Sequence, residues 1–176
     1  MEARTFELEF ARFIQRFHQP IKETFIEDTL DKRRILAYYP TARSMLDELA
    51  DDVLKEFTVN VDRKTSADAI AERYVQFGTH CREEGVSYAD MVRVLTLLKR
   101  HIWLFFQESN FAGQPFDVRS IVALNNRTAL FFDRAIYHLL VGYEQKPQQT
   151  LSEIETLYQA FLEKVRRDLV GGATSD

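Results

Sequence analysis

Apolar residues recur along most of this chain at intervals of three and four, which is the spacing of an amphipathic helix. The first such run covers residues 5–18. Its phenylalanines are Phe6, Phe10, Phe13 and Phe17. Similar patterns continue over 21–34, 41–57 and from about 65 to 83, so the chain predicts an all-α protein.

Prolines and short polar stretches mark the predicted breaks between these helices. Pro20 suits the first position of the second helix, where its missing N–H is tolerated. Pro40 interrupts the chain again, and Thr41 can cap the helix that follows it. Residues 59–64 predict a loop.

The clearest local signal is the turn between two helices at residues 85–90. Gly85 can adopt the left-handed conformation that ends a helix. Ser87 can cap the next helix, and Asp90 three residues later completes an approximate capping box. Val86 is placed to pack against Met91 as a hydrophobic staple.

The helix that begins after this turn extends to about Glu108 and is apolar around most of its circumference. The residues that share its main apolar face are Met91, Leu95, Leu98, Ile102 and Phe105. Such a helix is expected at the centre of a bundle. After a loop at 110–115, a second strongly apolar helix is predicted from a cap at Asp117 to about Tyr143.

The chain then divides into a helical domain at 1–145 and an appended segment at 146–176. Pro147 lies in a polar break, and a last amphipathic helix is predicted over 150–170. Its apolar seam consists of Leu151, Ile154, Tyr158, Phe161 and Val165. A seam with this spacing resembles a short coiled coil. It can fold back on the domain or pair with a second copy in a homodimer, and the pattern leaves both open.

The predicted fold class is therefore all-α, a multi-helix bundle for which a globin-like arrangement is one candidate, with an appended C-terminal helix. The chain has 176 residues and a net charge of −4, which argues against a nucleic-acid-binding protein. No apolar run reaches the length of a membrane span, and the single cysteine, Cys81, fits a reducing cytoplasm.

Motifs that carry catalysis are absent from the sequence. There is no glycine-rich phosphate loop, no His-Glu-x-x-His metal motif and no phosphotransfer histidine in its usual context. The two most apolar helices carry no paired carboxylates on their apolar faces. We therefore expect a protein that is not an enzyme, and an unrecognised helical-bundle active site is the weakest of three hypotheses.

A few residues are nevertheless candidates for binding. His101 faces apolar territory and could ligate a haem iron or line a ligand pocket, although a core-edge histidine bonded to Asp90 or a backbone carbonyl is the simpler interpretation. Trp103 and His138 are weaker ligand candidates, and for both a position in the core is the simpler interpretation. His80 and Glu84, four residues apart, could share a metal, but with only two ligands visible a solvated helix end is the simpler interpretation.

The run from Tyr74 to Phe106, YVQFGTHCREEGVSYADMVRVLTLLKRHIWLFF, resembles the N-terminal domain of RsbRD-type co-antagonists, which are sigma-factor regulators of the stressosome kind. The matching residues are Arg82, Glu84, Gly85, Val86, Ser87, Leu95, Leu98, Ile102 and Trp103. The segment Asp133–Glu144 looks like the end of the same domain, so the resemblance spans roughly residues 10–145. Related domains precede bacterial histidine kinases.

The resemblance implies a cytoplasmic, helical regulatory or sensor domain of bacterial signal transduction and stress response that performs no reaction. Its implied partners are a second copy of the chain and a signalling protein such as a kinase or STAS-type regulator. No output module follows residue 145, so the chain is either a single-domain protein or part of a larger sensor. The alternative is a globin-like haem or small-ligand sensor that uses a buried histidine, and otherwise no cofactor is expected.

Overall fold

A computed structural model describes residues 2–37, 39–61, 67–108 and 118–145, together with residues 156 and 158–161. It contains α1 (Glu2–Arg16), α2 (His18–Glu27), a π-helical turn (Asp28–Lys32), α3 (Ala42–Val61), α4 (Ala67–Glu83), α5 (Tyr88–Glu108) and α6 (Val118–Glu144). The described residues contain no strand, which confirms the all-α prediction. The part up to Tyr143 is one compact unit, and Glu144 onward is a second.

The second helix begins earlier than predicted. Only Phe17 separates α1 from α2, and Pro20 is the third residue of α2 rather than the first. This position is tolerated because the N–H groups of a first helical turn have no partner within the helix. The amide of Ile21, which follows the proline, donates to the carbonyl of Phe17 at 3.0 Å.

The same helix also ends earlier than predicted, and the interpretation of 21–34 as one α-helix is wrong in its last part. The chain widens into the π-helical turn Asp28–Lys32, where the hydroxyl of Thr29 donates to the carbonyl of Phe25 at 2.7 Å. Beyond it, Arg34 and Leu36 have φ angles of 53° and 62°. This left-handed backbone is unfavourable for such residues, but it brings the Leu36 side chain to complete burial.

The third helix continues further than predicted, to Val61, so the first residues of the expected loop at 59–64 are helical. Residues 58–61 contain neither glycine nor proline to end the helix. Phe57 and Thr58 are buried, so the packing of this turn supports its continuation. The expected caps of α4 and α6, at 65–66 and 117, lie outside the described residues.

Aromatic side chains form the centre of the core. The ring of Phe10 on α1 lies 6.1 Å from Phe57 on α3 and 5.1 Å from Phe106 on α5. Phe57 in turn lies 5.3 Å from Phe131 on α6. Burial of each such ring contributes about 1.5–3 kcal/mol. The helix α5 is covered from several sides, as its sequence predicts, because α1, α2 and α4 all contact it.

A buried lysine and two glycines fix the positions of neighbouring helices. Lys22 of α2 reaches α3, where its Nζ lies 3.0 Å from carboxylate oxygens of both Asp47 and Asp51. Helices α4 and α6 cross at Gly78 and Gly142. None of the helices in the described part of the chain has the length and apolar character required to cross a membrane.

Candidate functional site

Among the described residues, His101 is the one buried histidine, and it contacts a carboxylate. Its side chain projects from α5 toward the π-helical turn, where Nε2 lies 3.1 Å from Oδ2 of Asp28. The Nε of Arg33 lies 2.9 Å from the same oxygen. The partner is thus Asp28 rather than Asp90, which lies on the same helix and bonds to Ser87. A bond across 73 positions of sequence ties α5 to the irregular segment after α2.

The charges around Asp28 favour its ionised form. Burial acts to raise the pKa of this carboxyl, but the hydrogen bonds from Arg33 and His101 outweigh burial and hold the pKa below its ordinary value. Because Nε2 of His101 is engaged by this carboxylate, a haem iron would have to displace it to bind there. The ligand role of His101 stays a prediction.

The other two ligand candidates have less enclosed positions. Trp103 is partly buried, with its ring 5.7 Å from the rings of both Phe10 and Phe106. It therefore packs as part of the aromatic core. His138 on α6 is half-buried, and its ring lies 5.1 Å from that of Tyr137. The ring contacts described for Trp103 and His138 are with Phe10, Phe106 and Tyr137.

His80 lies in the last turn of α4 and Glu84 directly follows that helix, and both residues are exposed. Within the described ranges, no group of three or more His, Cys, Asp or Glu side chains is placed to hold a metal ion. Binding of a metal by these two residues would therefore require water or an outside group for the remaining ligands.

The turn between α4 and α5 is held from two other parts of the domain. Ser87 Oγ accepts a bond from the Asp90 amide at 3.1 Å and donates to the Asp90 carboxylate at 3.0 Å, which confirms the capping box in modified form. Gly85 has a φ of 76°, as expected for a helix end. The hydroxyl of Tyr39 donates to the Gly85 carbonyl at 3.1 Å, and that of Tyr143 to the Val86 carbonyl at 3.0 Å. The turn is thus a structural junction.

Cys81 lies beneath this junction and is completely buried. Burial raises the pKa of its thiol to about 12, although a hydrogen bond with Tyr143 acts in the opposite direction. Its sulfur lies 3.8 Å from that of Met45. A thiol in this environment is protonated at neutral pH and is a poor nucleophile.

The feature that sequence reasoning missed is the outward side of α6. We call it the α6 outer face and define it by the residues that project there: Arg119, Val122, Ala123, Asn126, Ala129, Leu130, Asp133 and Tyr137. The exposed fractions are 51% for Val122, 50% for Leu130 and 61% for Tyr137, and Val118 at the helix start is 71% exposed. Apolar residues on both sides of α6 showed that more than one face of this helix needs cover, but they did not show which face stays exposed.

The terminal seam is described only in part. Tyr158 and Phe161 are helical, with exposed fractions of 59% and 60%. Leu151, Ile154 and Val165 lie outside the described residues. Whether the seam pairs with a second copy stays a prediction.

Comparison with known proteins adds no assignment, because no family model, curated protein or solved structure matches the chain. The function must therefore be argued from the residues themselves.

Proposed function

We propose that this chain is a non-enzymatic regulatory domain of signal transduction that works by binding other proteins through the α6 outer face. The observation that supports the proposal is the exposure of Val122, Leu130 and Tyr137 along one side of a single helix. Exposed apolar side chains are common singly, but a row of them on one element is characteristic of an interaction site.

The buried polar groups support the same proposal. Lys22 joins α2 to α3, and His101 joins α5 to the π-helical turn. On α4 and α6, Thr79 Oγ1 lies 3.1 Å from the Val75 carbonyl and 3.2 Å from that of Gly142. These groups are committed to contacts between or within helices. If binding of a ligand or partner shifted the helices, the affinity of the α6 outer face for other proteins would change, and the bundle would act as a sensor.

The partners we propose follow from the resemblance of residues 74–106 to stressosome co-antagonist domains. They are a second copy of the chain and a bacterial kinase or STAS-type regulator in the cytoplasm. The net charge of −4 gives no support to a nucleic-acid partner. No haem is included, because Nε2 of His101 already contacts Asp28, and we expect haem reconstitution of the purified protein to give no Soret band.

Site-specific photo-crosslinking in living cells tests the proposal. A photoreactive amino acid at Leu130, on the α6 outer face, is compared with the same residue at Gln76, which is exposed on α4. We expect adducts with protein at position 130 to exceed those at position 76 at least tenfold, with the captured protein identified by mass spectrometry. Equal capture at the two positions would contradict a binding role for this face.

A further inference from the structure

We infer that the occupant of the α6 outer face is the same face of a second copy of this chain, packed antiparallel about a twofold axis beside Asn126. The inference rests on the proposed function, because it names the partner of the same surface. It differs from pairing through the terminal helix, whose apolar residues belong to the second unit of the chain.

The arrangement of residues about Asn126 is self-complementary. In an antiparallel helix pair centred there, each residue lies level with the partner residue at the same separation on the other side of the centre. Val122 is thus level with the partner's Leu130, and Ala123 with the partner's Ala129. Arg119 is level with the partner's Asp133. At 100° per residue, all these positions lie within about 60° of the direction of Asn126.

The charges on the face select this orientation. In the antiparallel pair, Arg119 meets the partner's Asp133 at both ends of the contact, which gives two oppositely charged pairs by symmetry. A parallel pair would instead place Arg119 beside the partner's Arg119, and Asp133 beside the partner's Asp133. Like charges at such distances oppose association, so the parallel arrangement is disfavoured.

The centre of the face also suits a helix pair. Ala123 and Ala129 are small, which allows the two helix axes to approach to about 8–10 Å. Asn126 lies on the axis, where its amide can bond to that of the partner's Asn126. A single polar residue within an apolar helix seam fixes register and orientation at some cost in stability.

The size of the contact predicts a reversible dimer. The helix α6 has 27 residues, so it is about 40 Å long, and a strip about 10 Å wide along it buries roughly 400 Å² per copy. A standard stable interface buries about 800 Å² per partner. We therefore expect association of the full chain in the micromolar range, which sedimentation equilibrium can measure.

Charge reversal of the full-length protein tests both the partner and the register. We expect R119D and D133R each to weaken self-association at least tenfold, because each places like charges level with one another. The double variant R119D/D133R restores opposite charges and is expected to recover association to within about threefold. The two positions are about 21 Å apart on one helix, so they cannot rescue each other within a chain.

Mixing the two single variants gives a second readout. A copy with R119D carries two aspartates, and a copy with D133R carries two arginines, so the mixture forms a heterodimer at least tenfold more tightly than either variant forms a homodimer. Because the same two variants are compared as a heterodimer and as homodimers, a loss of stability in one variant does not explain tighter association in the mixture. Circular dichroism of each variant verifies that it is folded.

Cysteine crosslinking locates the axis. We expect N126C to be crosslinked between copies by a short bismaleimide, whereas N125C is not. Asn125 is also exposed but projects about 100° away around the helix, which makes it a matched control. The native Cys81 does not interfere because it is buried and its thiol pKa is about 12.

Three outcomes would overturn the inference. If F161E dissociates the dimer while the charge reversals leave it intact, the terminal helix carries the pairing. If the double variant and the mixture both fail to associate, the antiparallel register is wrong. If the chain is monomeric but Leu130 captures a different protein in cells, the inference fails while the proposed function stands; without any capture, both fail.

Discussion

Nε2 of His101 and Oδ2 of Asp28 lie 3.1 Å apart in a part of the domain where both side chains are largely enclosed. One residue belongs to the regular helix α5, and the other begins the π-helical turn after α2. The ring of Phe25 lies 6.1 Å from the imidazole and covers one side of the contact. The pair therefore connects the most irregular described segment of the backbone to the centre of the bundle.

Removal of the Asp28 charge is expected to destabilise the protein and to change its response to acid. Because the pKa of Asp28 is lowered on folding, its ionised form stabilises the folded state at neutral pH. This contribution is lost as the pH falls below the ordinary carboxyl value of 3.8 through the lowered one. We expect D28N to lose about 1.5–3 kcal/mol of unfolding free energy at pH 7. We also expect the unfolding free energy of D28N to fall less steeply than that of the unaltered protein as the pH is lowered.

Urea unfolding measured from pH 7 down to pH 3 checks this expectation. The matched control is D31N, an exposed aspartate in the same π-helical turn, which should behave like the unaltered protein. A D28N protein with unchanged stability at pH 7 would show that the contact to His101 and Arg33 is not stabilising.

Glu56 should produce a pH dependence of the opposite sign. Burial raises the pKa of its carboxyl, and Asp52 adds to the effect, although Arg73 acts against it with Nε 2.9 Å from Oε1. A raised pKa means that the folded state binds the proton more tightly, so this residue's stabilising contribution is lost as the pH rises from 4.5 through the raised value. We expect E56Q to remove this decline.

The same variant should change unfolding free energy at pH 7 by less than about 1 kcal/mol, because it loses an ion pair with a half-exposed arginine while it removes a buried charge. The measurement is the urea midpoint between pH 4.5 and 7.5. E48Q, at an exposed position of the same helix, is the control. An unchanged slope for E56Q would contradict the assignment of this pH dependence to Glu56.

The sequence predicted the helices better than their ends. The Gly85 helix end and the Ser87 cap were predictable because both act through backbone groups within a few residues. The π-helical turn at Asp28 was not, because it depends on distant contacts such as that to His101 on α5. Local sequence propensity cannot predict a contact between residues that lie 73 positions apart.

The candidate site was also predictable only in part, because its position follows from local periodicity and its partner does not. The periodicity identified His101 as a polar residue facing inward, which its 5% exposed fraction confirms. Its partner could not be deduced, since Asp28 and Asp90 are equally acceptable chemically. The α6 outer face was obscured because apolar residues occur on both sides of that helix, and periodicity alone does not say which side faces the core.

Cys81 is expected to be unreactive in the folded protein. Its thiol is buried with a pKa of about 12, so little thiolate exists at pH 8. We expect its reaction with a disulfide reagent to be at least a hundredfold slower in buffer than in denaturing urea. The exposed thiol of N125C supplies the control, since position 125 lies outside the proposed dimer contact and this thiol should react rapidly in both conditions. Rapid labelling of the native Cys81 would show that the α4–α5 junction opens readily.

The crossing of α4 and α6 should be intolerant of even one methyl group. A Cβ at Gly142 would overlap the carbonyl oxygen of Val75, and a Cβ at Gly78 would overlap that of Leu139. Since both obstacles are backbone atoms, the helices would have to separate, and we expect G142A and G78A each to lose about 1–3 kcal/mol of unfolding free energy or more.

The sign of the change in unfolding free energy shows whether the glycine is obstructed, because replacing glycine by alanine in an unobstructed helix stabilises by about 1 kcal/mol. The matched control is N125A on the exposed side of α6, which should be neutral or slightly stabilising. The double variant G78A/G142A should cost less than the two single changes together, because one separation of the helices relieves both overlaps. Thermal or urea unfolding measures all four proteins, and a stabilised G142A would show that the helices cross further apart than this geometry requires.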